Sequence, residues 1–143
     1  MKLYPIFASL SQRAVLVVGG GAVAERKVAA LLDAQAQVTV NAVTLTPQLQ
    51  QWTQQGRIAH RPDPFQESWL ERIWLVVAAT SDREMNTLVA TLAELRRIFV
   101  NVVDDAALSS FHVPAVIDRA PLTIAISSGG EAPMLARLLR EGL

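Results

Sequence analysis

The chain has no cysteine, which excludes a disulfide framework and any thiolate-held metal. Histidine is almost as scarce: only His60 and His112 occur, and neither belongs to an H-E-x-x-H or related zinc pattern. No charge of one sign prevails, since 13 Lys and Arg face 13 Asp and Glu, so there is no electrostatic case for a nucleic acid or an acidic membrane as partner. No apolar run approaches the ~18 residues of a membrane span. The start, Met1-Lys2-Leu3-Tyr4-Pro5, lacks the apolar segment and cleavage site of a signal peptide. A cytoplasmic protein that binds no membrane and no nucleic acid is therefore expected.

Apolar residues, by contrast, are abundant. They make up 51% of the 143 residues against 18% charged, which suits a sheet buried on both faces or a surface meant for a partner. Ala14 to Val18 is an uninterrupted apolar strand that stops at Gly19-Gly20-Gly21. Ala22 to Ala34 follows as a helix, with Val23, Lys27, Ala30 and Leu31 recurring at helical spacing. Gln37 to Asn41 is the second strand, and strand, turn, helix and strand make a right-handed βαβ unit. Thr46 opens a short helix over Pro47 to Gln54. Gly56 to His60 reads as a weak edge strand, and Phe65 to Glu71 as a short helix. Ile73 to Ala79 is the third buried strand, Asp82 to Leu95 a helix, and Ile98 to Val103 the next strand. After Asp104-Asp105 the rhythm changes, leaving a strand at Leu122 to Ile126 and a helix over Ala132 to Arg140. The fold class is α/β: a Rossmann-like doubly wound parallel sheet over residues 1–113, followed at 114–143 by the start of a small α/β dimerisation region.

The motif that carries chemistry is Gly19-Gly20-Gly21-Ala22-Val23-Ala24, a G-x-G-x-x-A turn between a buried strand and a helix. Gly19 lets the chain turn sharply, Gly21 lets backbone approach a pyrophosphate, and Ala24 allows helix to pack closely on sheet. Phosphate oxygens would accept the unpaired N–H groups of the helix's first turn. The bland alternative is a glycine turn used only for packing. About 20 residues on, dinucleotide sites place an acid that binds the adenosine ribose. This chain has Asn41 there, then Ala42, Val43 and Thr44. Asparagine supplies no charge, and no basic pair follows it to grip a 2′-phosphate, so NAD is expected rather than NADP.

Thr80, after the third buried strand, is a candidate contact to the dinucleotide, although Ser81 or Asp82 can equally cap the next helix. Asn101 and Asp104 stand at the end of the following strand, where Asp104 can act as a general base or stop the strand as a solvated turn. His60 reads as ordinary surface. His112 is either a substrate-side residue or a packed, hydrogen-bonded histidine. Ser127-Ser128-Gly129-Gly130 is either a second anion-binding nest or a capping turn, and Ser128 lacks the G-x-S-x-G elbow of a hydrolase.

With these residues in view, the chain resembles the amino-terminal domain of siroheme synthase. The likeness runs through Leu3-Tyr4-Pro5-Ile6-Phe7, Val17 to Lys27, Thr39-Val40-Asn41-Ala42, Ala78-Ala79-Thr80, Arg97 to Asp104, Ser110-Phe111, Pro114 to Arg119, and Ile126 to Pro133. The resemblance implies an enzyme, precorrin-2 dehydrogenase and sirohydrochlorin ferrochelatase. It would oxidise precorrin-2 to sirohydrochlorin with NAD and insert ferrous iron (Fe2+), itself a substrate, to give siroheme. It implies that Ala22, Val23, Val43 and Thr44 contact NAD, and that Gly19, Gly20, Gly21, Asn41, Ala42 and Thr80 complete the cofactor site. Asp104 matches the family's catalytic aspartate and would handle the metal transiently. Asn101, His112 and Ser128 would face the tetrapyrrole, with Arg119, Arg137 and Arg140 assisting its carboxylates. Ser128 matches a serine phosphorylated in related proteins, where added charge would repel those carboxylates. The family's module continues past residue 143 and forms a homodimer, and bifunctional members add a methyltransferase. Two other readings share the NAD site: a dehydrogenase of another small metabolite, and a non-enzymatic NAD-sensing module.

Overall fold

A computed structural model of the chain describes residues 2–128 and 133–142. Five strands form one parallel sheet: β1 Ala14–Val18, β2 Gln37–Asn41, β3 Ala59–Arg61, β4 Leu75–Ala78 and β5 Phe99–Val102, in the order β3-β2-β1-β4-β5. Helices α1 Ala22–Asp33, α2 Pro47–Gln54 and α3 Arg83–Leu95 cover it. This is the Rossmann-like doubly wound architecture expected from the sequence.

The unbroken apolar runs follow from burial on both faces. Successive strand side chains point to opposite sides, so Val15 and Val17 join Val38, Val40, Val77 and the α1 and α2 residues Ala24, Val28 and Leu49 in one core. Leu16 and Val18 join Val76, Ala78, Val100, Val102 and the α3 residues Val89, Ala90 and Ala93 in the other. Emptying either core at a fully buried leucine such as Leu16 or Leu49 costs about 2–5 kcal/mol. The strand order reverses between β2 and β4 about β1, so the carboxyl ends of β1 and β4 open the crevice in which folds of this kind take ligands.

Several elements differ from the sequence reading. The inward stripe of α1 is Ala24, Val28 and Leu31, with Val23 half-buried and Ala30 exposed. Small Ala24, next to the glycine turn, can approach the sheet more closely than Val23, and this rotates the helix. The weak edge strand shifts to Ala59–Arg61, and the short helix near Phe65 shrinks to a single 3-10 turn at Glu67–Leu70. The tail holds a strand that the sequence does not announce, β6 Ala115–Arg119, paired antiparallel with β7 Leu122–Ile126. Its charged end, Asp118-Arg119, and mostly exposed pattern hide the pairing. Helix α4, Pro133–Gly142, packs on this hairpin. It leaves Met134, Leu135, Leu138 and Leu139 more than half exposed. No helix among the described residues is long and apolar enough to cross a membrane.

Candidate functional site

The glycine turn leaves β1 at Gly19, whose φ of +135° lies where side-chain-bearing residues are strained. A Cβ there would overlap the Ala79 carbonyl, and one on Gly20 would overlap the Thr44 carbonyl oxygen and the Ala42 methyl. These two glycines are spent on chain-to-chain contact. Gly21 differs: nothing lies within 4 Å of its missing Cβ. It is the N-cap of α1 and offers no side-chain cap. The first helical bond runs from Glu25 N–H to the Gly21 carbonyl at 2.9 Å, so the N–H groups of Ala22, Val23 and Ala24 have no intrahelical acceptor, and Ala22 is exposed whereas Ala24 is buried. An uncapped helix mouth with room beside it fits a pyrophosphate.

The loop after β2 borders this mouth. Val43 is 82% exposed, an apolar surface with no packing role, and Thr44 is exposed beside it. Asn41 is buried, and its amide donates to the carbonyls of Arg61 and Asp63 at 2.9 and 2.8 Å. Both its hydrogens therefore brace the exit of β3, leaving only its oxygen for a ribose hydroxyl. His60 is not idle surface. Its Nε2 lies 2.7 Å from the Ala42 carbonyl, and since a carbonyl only accepts, Nε2 carries the proton and pins the loop. Thr46 adds a third tie: its N–H donates to the Gly20 carbonyl at 3.0 Å and its hydroxyl to Glu25 Oε1 at 2.7 Å.

Beyond β4, Asp82 caps α3 by accepting from Met85 N–H at 3.2 Å, as one of the two sequence readings held. The Thr80 hydroxyl lies 2.8 Å from Asn86 Oδ1 and accepts from Asp82 N–H at 3.0 Å. Asn86, buried at 8% exposure, returns a bond from its amide to the Thr80 carbonyl at 2.9 Å. Thr80 thus spends its hydroxyl on holding the turn, and what it presents to the crevice is chiefly its backbone and methyl. Asn86 escaped the sequence reading because a polar helical residue looks solvent-facing; its place among Met85, Val89 and Ala90 on the inward face was the available signal.

After β5, buried Asn101 donates to the Phe111 carbonyl at 3.1 Å and so fixes the segment carrying His112. His112 is partly buried and makes no hydrogen bond among the described residues. Asp104 adopts φ +60° and is exposed, a left-handed conformation that aspartate tolerates. Its carboxylate makes no hydrogen bond or ion pair among the described residues, whereas neighbouring Asp105 accepts from Leu108 N–H at 3.2 Å. Val103 packs against the α1 core, which brings Asp104 toward Lys27. Burial, then the charge of Arg26, lower the pKa of Lys27, while the negative charge of Asp104 opposes them. Lys27, partly buried and without a hydrogen-bonded partner among the described residues, is a second residue that sequence reasoning passed over, having taken it for part of an apolar stripe.

Because the five strands of the main sheet are all parallel, the glycine turn, the loops after β2 and β4, and Asp104 share one carboxyl edge. The edge is an open shelf. A groove of about 410 Å³ lies at the opposite, amino edge, lined by Trp74, Arg96 and Arg97 among others, away from all of these groups. Ser128 is partly buried and engaged just past β7, and the remainder of its glycine turn, 129–132, lies outside the described residues. Arg119 is exposed on the hairpin, and Arg137 lies 3.8 Å from Glu141 on α4.

Comparison with known proteins adds the following. A family described as putative NAD(P)-binding matches residues 6–115, and one described as sirohaem biosynthesis protein central matches 119–143. A siroheme synthase of Xylella fastidiosa (strain M12) is 58% identical over 142 residues, covering 99% of this chain and 30% of that protein. A siroheme synthase of Escherichia coli (strain K12 / DH10B) is 52% identical over 143 residues, covering 100% of this chain and 31% of that protein. The chain thus spans about 30% of the length of the curated relatives it matches. Among solved structures, the precorrin-2 dehydrogenase SirC aligns with a TM-score of 0.79 at 28% identity, covering 98% of this chain and 69% of that one.

Proposed function

The chain belongs to the NAD(P)-binding family that forms the amino-terminal domain of siroheme synthase, and from that premise we propose that it oxidises precorrin-2 to sirohydrochlorin with NAD and inserts ferrous iron at the same edge. The observation that carries the reading is the pairing on one sheet edge of an uncapped helix mouth at Gly21, with open space beside it, and a carboxylate at Asp104 that has no partner among the described residues.

When bound, NAD supplies a two-electron hydride acceptor. The N–H groups of Ala22 and Val23 would hold its pyrophosphate in the positive field of α1. Val43 and Thr44 would border its adenosine side, and the backbone of Thr80 would contact the rest of the dinucleotide. Oxidation removes a hydride and a proton from precorrin-2, and Asp104 takes the proton. Metal insertion removes two pyrrole N–H protons as Fe2+ enters, and the same carboxylate accepts protons and offers an oxygen to a metal that must leave with the product. Asn101 positions the His112 segment against the macrocycle, and Ser128, Arg119, Arg137 and Arg140 face its carboxylates. A phosphate on Ser128 would repel them. Residues 114–143 begin a dimerisation unit, a reading supported by the exposed apolar residues of α4.

The test supplies precorrin-2 with NAD and follows NADH and sirohydrochlorin absorbance, then supplies sirohydrochlorin with Fe2+ alone. Asp104→Ala should lower both rates by about 10²–10⁴-fold and leave NAD affinity unchanged. NAD binding with neither product refutes the proposed reactions, and equal rates in the variant remove Asp104 from both.

A further inference from the structure

Dinucleotide folds place an acid at the end of the second strand, where it accepts the adenosine ribose hydroxyls and repels a 2′-phosphate. In this chain that position is Asn41, an uncharged residue whose amide hydrogens both brace β3. A carboxylate from another element can supply the negative charge that this position lacks.

Glu25 stands in the first turn of α1, the turn that frames the phosphate mouth. Its Oε1 accepts from the Thr46 hydroxyl at 2.7 Å, across 21 residues of chain. Thr46 is tied on both sides: its N–H donates to the Gly20 carbonyl at 3.0 Å, and its hydroxyl accepts from Leu49 N–H at 3.1 Å to cap α2. Gly20 in turn lies too close to Thr44 and Ala42 to carry a side chain. The glycine turn, the loop after β2 and the Glu25 carboxylate are therefore one connected unit, at the junction where phosphate mouth meets adenosine side. Glu25 is only partly buried, and its second oxygen makes no hydrogen bond among the described residues. Arg26 and Lys27 follow on the same helix, but each step turns the side chain by about 100°, so neither shares the side that meets Thr46.

We propose that Glu25, held by Thr46, takes over the part that Asn41 does not play: its charge excludes a 2′-phosphate, and its second oxygen accepts a ribose hydroxyl. It is the residue that sets NAD over NADP. This rests on the NAD reading of the glycine turn and is tested without any tetrapyrrole.

Titration calorimetry with NAD and with NADP on the whole chain gives the affinity ratio. Glu25→Gln keeps a hydrogen-bond acceptor for Thr46 and removes the charge. The NADP-to-NAD affinity ratio should rise by about tenfold or more, from loss of charge repulsion at close range, while NAD affinity itself falls because the amide no longer offers the ribose hydroxyl a charged acceptor. Glu25→Asp keeps the charge and should keep the low ratio. Thr46→Val removes the tie and leaves the charge, so NAD affinity should fall with the ratio still low. A ratio in Glu25→Gln within about twofold of the parent's, with the fold intact by circular dichroism, overturns the proposal. Absence of NAD binding in the parent chain refutes the underlying cofactor assignment instead, and a parent that already binds both cofactors equally refutes the selectivity alone.

Discussion

Consider alanine placed at Gly21 and, in a separate protein, at Gly19. The two changes add the same methyl group two residues apart, and the structure assigns them opposite consequences. At Gly19 the methyl meets the Ala79 carbonyl, and the backbone sits at φ +135°. The conformational term alone is about 1–2 kcal/mol, and the overlap forces the turn away from β4, for a total of about 2–4 kcal/mol. For a chain of this length that lowers the melting temperature by roughly 6–15 °C. At Gly21 the methyl meets nothing within 4 Å, and φ is −91°, which alanine adopts freely. The folding cost is the lesser N-cap preference of alanine, at most about 1 kcal/mol. The open volume beside Gly21 is where phosphate oxygens approach, however. Filling it should weaken NAD by about ten- to a hundredfold, the equivalent of a small overpacking penalty. Thermal melts and calorimetric titration of NAD separate the two effects. If Gly21→Ala binds NAD like the parent, the pyrophosphate does not lie at this mouth and the reasoning fails.

Other substitutions probe the supports. Asn86→Ala leaves the Thr80 turn without its buried brace and should destabilise the fold by about 1–3 kcal/mol while raising the KM for NAD; a variant with parental stability and KM would show the turn to be self-supporting. Lys27→Met should raise the melting temperature at neutral pH, because burial lowers the pKa of Lys27 from its ordinary 10.5 and the folded state therefore disfavours its charged form. As pH climbs through the lowered folded value toward 10.5, the folded parent sheds that proton before the unfolded chain does, its stability rises relative to the variant, and the gap narrows. A variant less stable than the parent at neutral pH would contradict this. Ser128→Asp should weaken sirohydrochlorin binding about tenfold through repulsion of its carboxylates and spare NAD, as read by absorbance titration; equal weakening of both would mark a general distortion.

The legible parts of the fold were those fixed by local chemistry. β1 and β4 are apolar without interruption because both faces are covered, β2 and β5 carry valines that face the same two cores, and Gly19 to Ala24 combines the strand, turn and helix that a dinucleotide mouth requires. What escaped depends on contacts between distant residues. β6 acquires its strand from pairing with β7, since its own sequence ends in the charged pair Asp118-Arg119. The facing side of α1 is set by how closely Ala24 meets the sheet, which a period alone does not fix. Glu25 and Thr46, His60 and Ala42, and Asn86 and Thr80 are each separated in sequence, and nothing in either member names the other. Asn41 was visible as the odd residue at the ribose position, but its commitment to β3 was not.

The direction of Asp104 is a torsional fact: one positive φ at the end of β5 turns the carboxylate outward, and no donor among the described residues steadies it. A carboxylate held that way can pick up and release a proton, or swing toward a passing cation, without first rupturing a contact. Asparagine or glycine at 104 would keep the bend, whereas a β-branched side chain such as valine would resist it and drag the exit of the last parallel strand out of line.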